Sequence, residues 1–167
     1  MADILLGIFT DSKQAGNAVA EFVNKDLAQD ITIVAKDDLV TDTGTEHVIK
    51  KDVSRGSIAG AATGAAVGGI AGLLAGASSF ALPGLGLIAL GPIASVLAGA
   101  GGGATAGGIV GALVDYGLPD EKARLYQQRV QAGEVLVGVL TNRIMTEDAR
   151  AIMEKHDVDE TQTIRMK

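Results

Sequence analysis

Residues 56–114 read GSIAGAATGAAVGGIAGLLAGASSFALPGLGLIALGPIASVLAGAGGGATAGGIVGALV, with no Asp, Glu, Lys, Arg or His among them. They hold 17 of the chain's 23 glycines. The glycines fall on every fourth position: Gly56, Gly60, Gly64, Gly68, Gly72 and Gly76, then Gly99, Gly103, Gly107 and Gly111. Inside a helix each glycine costs about 1 kcal/mol relative to alanine. Such rows persist only where close backbone packing offsets that loss. Spacing by four puts the small residues one turn apart on one face, in a stripe that advances about 40° per step. Two such stripes in contact cross at about −40°, near enough for Cα–H···O contacts. The pattern is a glycine zipper written twice. Its predicted helix-packing and oligomer-interface residues are Gly60, Gly64, Gly68, Gly72, Gly76, Gly99, Gly103, Gly107 and Gly111.

Between the rows, Pro83, Gly84 and Gly86 are followed by Gly91 and Pro92. Neither proline can continue a helix from the preceding turn, and the glycines permit a tight reversal. Residues 56–116 are therefore expected to form a helical hairpin turning at these five positions. Each arm would be roughly 30–40 Å long, enough to cross a bilayer core. Alanine and glycine are weakly hydrophobic, however, and the aromatic belt of a membrane span is nearly absent. The tip carries no charge, whereas the turn of a fully crossing hairpin would lie in water. A buried tip fits better, either in one leaflet or against other copies of the chain.

Outside residues 56–114 lie all 14 basic and all 20 acidic residues. This places a charged head around an apolar insert. Net charge is −6 and the sequence pI is about 4.8, which argues against nucleic acid and against attraction to anionic lipid. Cysteine is absent, excluding disulfides and thiol chemistry and agreeing with a reducing cytoplasm. Residues 1–6 have no basic region ahead of an apolar run, so no signal peptide is expected. The expected location is the cytoplasm, with the inner face of the cytoplasmic membrane as the surface the hairpin would meet.

Before the hairpin, residues 4–9 are a continuous apolar run of the length of a buried central strand. Asp11 then opens an amphipathic helix in which Ala15, Ala18, Val19, Phe22 and Val23 recur at helical spacing. Residues 31–35 read as a second strand, and the polar residues 37–55 as a loop or β-ribbon. After the hairpin, Pro119 and the acidic pair Asp120 and Glu121 open a clamp helix within residues 117–133, stopped by Gly133. Residues 135–140 form a second strong strand, Thr146 is expected to cap a further helix, and residues 163–166 a last strand. Without the insert the order is strand-helix-strand twice. The fold class is therefore α+β: a ferredoxin-like split βαβ sandwich from residues 1–36 and 134–167, with an inserted glycine-zipper helical hairpin. The first and third head strands should be central.

Several of these residues resemble a known family. They are Gly7-Ile8-Phe9 leading into Asp11, the Pro83-Gly84-Leu85-Gly86 and Gly91-Pro92 turn, Tyr116-Gly117-Leu118-Pro119 before a helix containing Tyr126, and Gly133-Glu134-Val135-Leu136-Val137. The resemblance is to the bacterial general stress or heat-induced proteins, also described as low-temperature-induced proteins and as domains of unknown function. It covers nearly the whole chain. It implies induction under stress and supplies no catalytic residues.

Chemical motifs have plainer readings. Residues 99–104 fit G-x-G-x-x-A but follow no strand, the context that a dinucleotide fingerprint requires. Asp42-Thr43-Gly44 imitates an aspartic-protease triplet in a polar turn, in surroundings too helical for that fold. His47 lies near Asp42 and Glu46, and His156 stands apart; a solvated loop explains the first better than a metal site. No catalytic constellation, metal site or cofactor is expected, and the chain is read as not an enzyme. The leading expectation is a stress-associated structural protein whose partner is itself, as a homo-oligomer, with membrane lipid as a second partner. The rival is a membrane-anchored module that senses a small molecule through its ferredoxin-like head, by fold analogy.

Overall fold

The computed structural model describes residues 2–25, 27, 30–36, 80–82, 87–90 and 108–165. Their elements are β1 (Ala2–Phe9), α1 (Ser12–Lys25), β2 (Asp30–Lys36), β3 (Phe80–Leu82), β4 (Leu87–Leu90), α2 (Gly108–Asp115), α3 (Asp120–Gln131), β5 (Val135–Asn142), α4 (Thr146–Lys155) and β6 (Glu160–Arg165). The protein is α+β. The six described strands form one sheet in the order β3-β4-β2-β5-β1-β6, with every neighbouring pair antiparallel.

Among the four head strands, in the order β2-β5-β1-β6, the long apolar strands β5 and β1 are the inner two. β1 lies between β5 and β6, with Ile4 opposite Leu140 on one side and Ile164 on the other. Its successive side chains point to opposite faces, and both faces are covered. On one, Leu5 and Phe9 join Val135, Val137 and Val139 beneath α1 and α4, through Ala15, Val19, Phe22, Ala149, Ile152 and Met153. On the other, Ile4, Leu6, Ile8, Val34 and Leu136 pack under α2 and α3, through Ile109, Leu113, Ala123, Tyr126 and Val130. Two-sided burial is why residues 4–9 and 135–140 read as continuous apolar runs rather than alternating ones.

Two expectations for the insert change. Phe80–Leu82 was expected to end the first helical arm, and Leu87–Leu90 to lie in the turn; both are strands. β4 pairs with β2, Val34 opposite Ala89, and β3 pairs with β4, so these residues extend the head's sheet. Short apolar runs beside proline and glycine do not distinguish strand from helix, and here an available sheet edge decides. The far end of the expected hairpin is also part of the head: Ile109, Ala112 and Leu113 of α2 are buried against it. The turn residues Pro83, Gly84, Gly86, Gly91 and Pro92 lie outside the described residues.

Helix ends follow local chemistry. At the start of α1, Asp11 Oδ1 accepts the Lys13 N–H at 2.7 Å, as an N-cap should. Thr146, expected to cap α4, is instead its first residue. No side chain caps that end. Asn142 holds the preceding turn, its Oδ1 accepting the N–H groups of Ile144 and Met145 at 3.1 and 2.9 Å. The Thr146 hydroxyl donates to the Asn142 carbonyl at 3.1 Å. The last strand is longer than residues 163–166 suggested, because its ladder with β1 runs from Ile8 opposite Glu160 to Asp3 opposite Arg165.

The helices α2, α3 and α4 end in one motif. Leu118 N–H donates to Leu113 O, Glu134 to Arg129 O, and Val158 to Met153 O, each a six-residue closure over a left-handed residue. That residue is Gly117, Gly133 or Asp157, with φ of 101°, 108° and 54°. Only Asp157 carries a Cβ into this conformation, and it is exposed. Asp157→Gly should therefore stabilise the fold by about 1 kcal/mol, read as a higher denaturation midpoint; an unchanged or lower midpoint would show that the Asp157 side chain contributes a compensating contact.

Gly7 sets the spacing between β1 and α4. A Cβ on it would meet Met153 Sδ at 2.6 Å and Val158 Cγ2 at 3.0 Å. The Gly7→Val change should cost about 1–3 kcal/mol by overpacking. A variant as stable as the parent on denaturant titration would mean that α4 can move away without loss.

Candidate functional site

The expected interface residues divide sharply. Gly60, Gly64, Gly68, Gly72, Gly76, Gly99, Gly103 and Gly107 lie outside the described residues, as do Asp42, His47 and the residues 99–104 motif. Gly111 is described, and its setting is informative. Ile109, Ala112 and Leu113 face the sheet and are almost wholly buried. At 100° per residue, Gly111 projects about 200° around the axis from Ile109, on the side away from the core. A Cβ built on Gly111 would meet nothing within 4 Å among the described residues. Its near neighbour Val114 is 38% exposed. The anchoring face of α2 and its glycine face are thus opposite faces.

Charged side chains form two clusters that sequence spacing reveals only in part. In the first, Glu21 on α1 accepts from Lys25 at 2.8 Å and from Lys155 at 2.9 Å, and lies 2.8 Å from His156 Nε2. The pair Glu21 and Lys25 is visible as an i,i+4 spacing. Lys155 and His156 arrive only through the packing of α4 beside α1. Beside them a groove of about 490 Å³ is lined by Glu21, Lys25, Leu27, Asp148, Ala151, Ile152 and Lys155. It offers both signs of charge over an apolar floor, which suits a small polar solute and holds no nucleophile with an adjacent base.

In the second cluster, Arg129 near the end of α3 binds Glu134 at 2.6 Å and Asp159 at 2.5 Å, with Glu160 at 3.8 Å. Lys122 also pairs with Glu160. These contacts tie α3 to the starts of β5 and β6. Between α3 and the sheet, Tyr126 is fully buried and its hydroxyl has no partner among the described residues. Burial, with the nearby Glu160 carboxylate adding to it, pushes the phenol up to about 12. Tyr126 is thus a core residue, and Tyr116 is partly buried against the same core.

Among the described residues no group of three or more His, Cys, Asp or Glu could hold a metal ion. None of the described helices is long and apolar enough to cross a membrane.

The first cluster has a pH consequence. Hydrogen bonds from Lys25, then Lys155, then His156 lower the Glu21 carboxyl from 4.5 to about 2, with desolvation opposing them. Because the folded value is below the unfolded one, the stabilisation is complete above about pH 4.5 and is lost as pH falls toward 2. Denaturation midpoints measured through this window should fall more steeply for the parent than for Glu21→Gln. Parallel curves would show that the cluster contributes nothing to holding α1 on α4.

Comparison with curated proteins and with solved structures gives no match. A family match is found over β3 to β6, taking in the glycine-faced helix, the clamp helix and both central ion-pair partners of β6. Residues 77–164, more than half of the chain, match the family described as a protein of unknown function (DUF1269), and the chain belongs to that family.

Proposed function

We propose that this is a non-enzymatic, stress-associated structural protein: a ferredoxin-like head that self-assembles through a glycine-zipper insert. One observation carries the reading. The second glycine row ends at Gly111, on the side of α2 turned away from the core that Ile109 and Leu113 enter. A glycine there costs helix stability and returns nothing to the head, so its use lies in contact with another helix. The strand order β2-β5-β1-β6, with α1 and α4 on one face, supports the ferredoxin-like reading of the head. Stress association rests on the sequence resemblance alone.

Apolar residues of the insert make lipid a second partner for the same face, and the inner membrane surface the place to meet it. A further reading is favoured by the groove between α1 and α4: the head would bind a small polar solute over Leu27 and Ile152 while the insert anchors it. The two readings need different parts of the molecule.

Substitution on the outward face separates fold from assembly. Gly111→Leu, combined with Gly107→Leu, should leave the head folded by far-UV circular dichroism and thermal melting, since no described residue lies within 4 Å of a Cβ at Gly111. The particle measured by light scattering should fall to a smaller mass, because the backbones can no longer approach. An unchanged mass would reject the zipper.

A further inference from the structure

We propose that β6 is a docking edge for a second copy of this chain, the two β6 strands pairing antiparallel about a two-fold axis at Gln162. The sheet has two edges, and they are unlike. β3 is three residues long, a length that blunts an edge against further pairing. β6 is six residues long and, among the described residues, pairs only with β1. Its central residues, Thr161-Gln162-Thr163-Ile164, contain no proline, lysine or other charge to discourage pairing.

The strand is self-complementary. A two-fold axis normal to the sheet keeps each face on its own side, so residues paired across it share a face only when their numbers sum to an even value. With the axis at Gln162, Thr161 stands opposite Thr163 of the partner subunit, and Gln162 opposite Gln162 of the partner subunit. Arg150 prepares both threonines. Its Nη1 donates to Thr161 Oγ1 at 2.9 Å and its Nη2 to Thr163 Oγ1 at 2.8 Å. Each hydroxyl oxygen thereby accepts from Arg150 through one lone pair, so that in each cross-strand threonine pair one O–H can be donated to the second lone pair of the other.

Charge sets the direction. The strand begins beside Asp159, 54% exposed, and Glu160, and ends at the exposed Arg165. Antiparallel pairing brings each acidic start against Arg165 of the partner subunit, whereas parallel pairing would set like charges together. The two Arg150 guanidiniums share a face across the axis and oppose association; four threonine hydroxyls lie between them. β6 is also at the end of the sheet away from β3 and β4. Edge pairing therefore joins two heads through the outer side of β6 and makes no use of Gly111.

The absence of cysteine makes the test direct. Gln162→Cys in the full chain introduces one thiol, beside its own copy at the axis; Lys13→Cys, on an exposed position of α1, is the control. A short bis-maleimide should trap Gln162→Cys as a covalent dimer and leave Lys13→Cys monomeric on a denaturing gel. Trapping of Gln162→Cys no greater than the control overturns the proposal. Gln162→Lys, which sets two ammonium groups at the axis, should keep the melting curve and halve the particle mass; an unchanged mass also overturns it. The cross-link should persist when Gly107→Leu and Gly111→Leu are added. Its loss there would overturn an edge contact independent of the zipper. Halving by Gln162→Lys without any effect of the glycine substitutions would uphold the edge and reject the zipper alone.

Discussion

Burial of β1 and β5 on both faces is the constraint from which the rest of the structure follows. A strand with Leu5 and Phe9 on one side and Ile4, Leu6 and Ile8 on the other cannot lie on a two-layer fold with one wet face. Each fully buried side chain of this size is worth about 1.5–3 kcal/mol relative to exposure. Leaving either face open would forfeit several of them. The chain covers one face with α1 and α4, which connect its strands, and the other with α2 and α3, which follow the insert. The insert's end is thus part of the head's core.

That solution fixes what each helix can offer to a partner. α2 gives Ile109, Ala112 and Leu113 to the sheet, which turns Gly111 outward. α3 gives Ala123, Tyr126 and Val130, and uses Arg129 and Lys122 to hold the start of β6. On the other side α4 spends Lys155 and His156 on Glu21 of α1 and Arg150 on two threonines of β6. The charged groups therefore lock helices to helices and helices to strands. Among the described residues, Gly111 of α2 and the outer edge of β6 take no part in these contacts.

How much of this could be read from the chain depends on how local the cause is. The head strands β1, β2 and β5 and the helices α1, α3 and α4 follow from apolar periodicity and end signals carried within a few residues, such as Asp11, Pro119 and Gly133. Centrality of β1 and β5 follows from the unbroken apolar runs. β3 and β4 were read as helix and turn, since the residues around Pro83 and Gly84 carry no period and only the edge of β2 selects a strand. Thr146 has the right residue type for a cap, yet Asn142, four positions earlier, organises that turn through its own side chain. Of the candidate interface only Gly111 can be placed. The Glu21 cluster was half legible: Lys25 is four residues away, whereas Lys155 and His156 are brought in by tertiary packing.

The central claim is that a glycine face unused by the head exists to contact another copy. It is tested most directly by the mass of the whole chain in detergent-free solution, followed by light scattering and analytical ultracentrifugation over a wide dilution series. The account predicts a uniform particle at a multiple of the 16.9 kDa chain mass. A species that stays at 16.9 kDa at every concentration, with its melting unchanged by lipid vesicles, would contradict it.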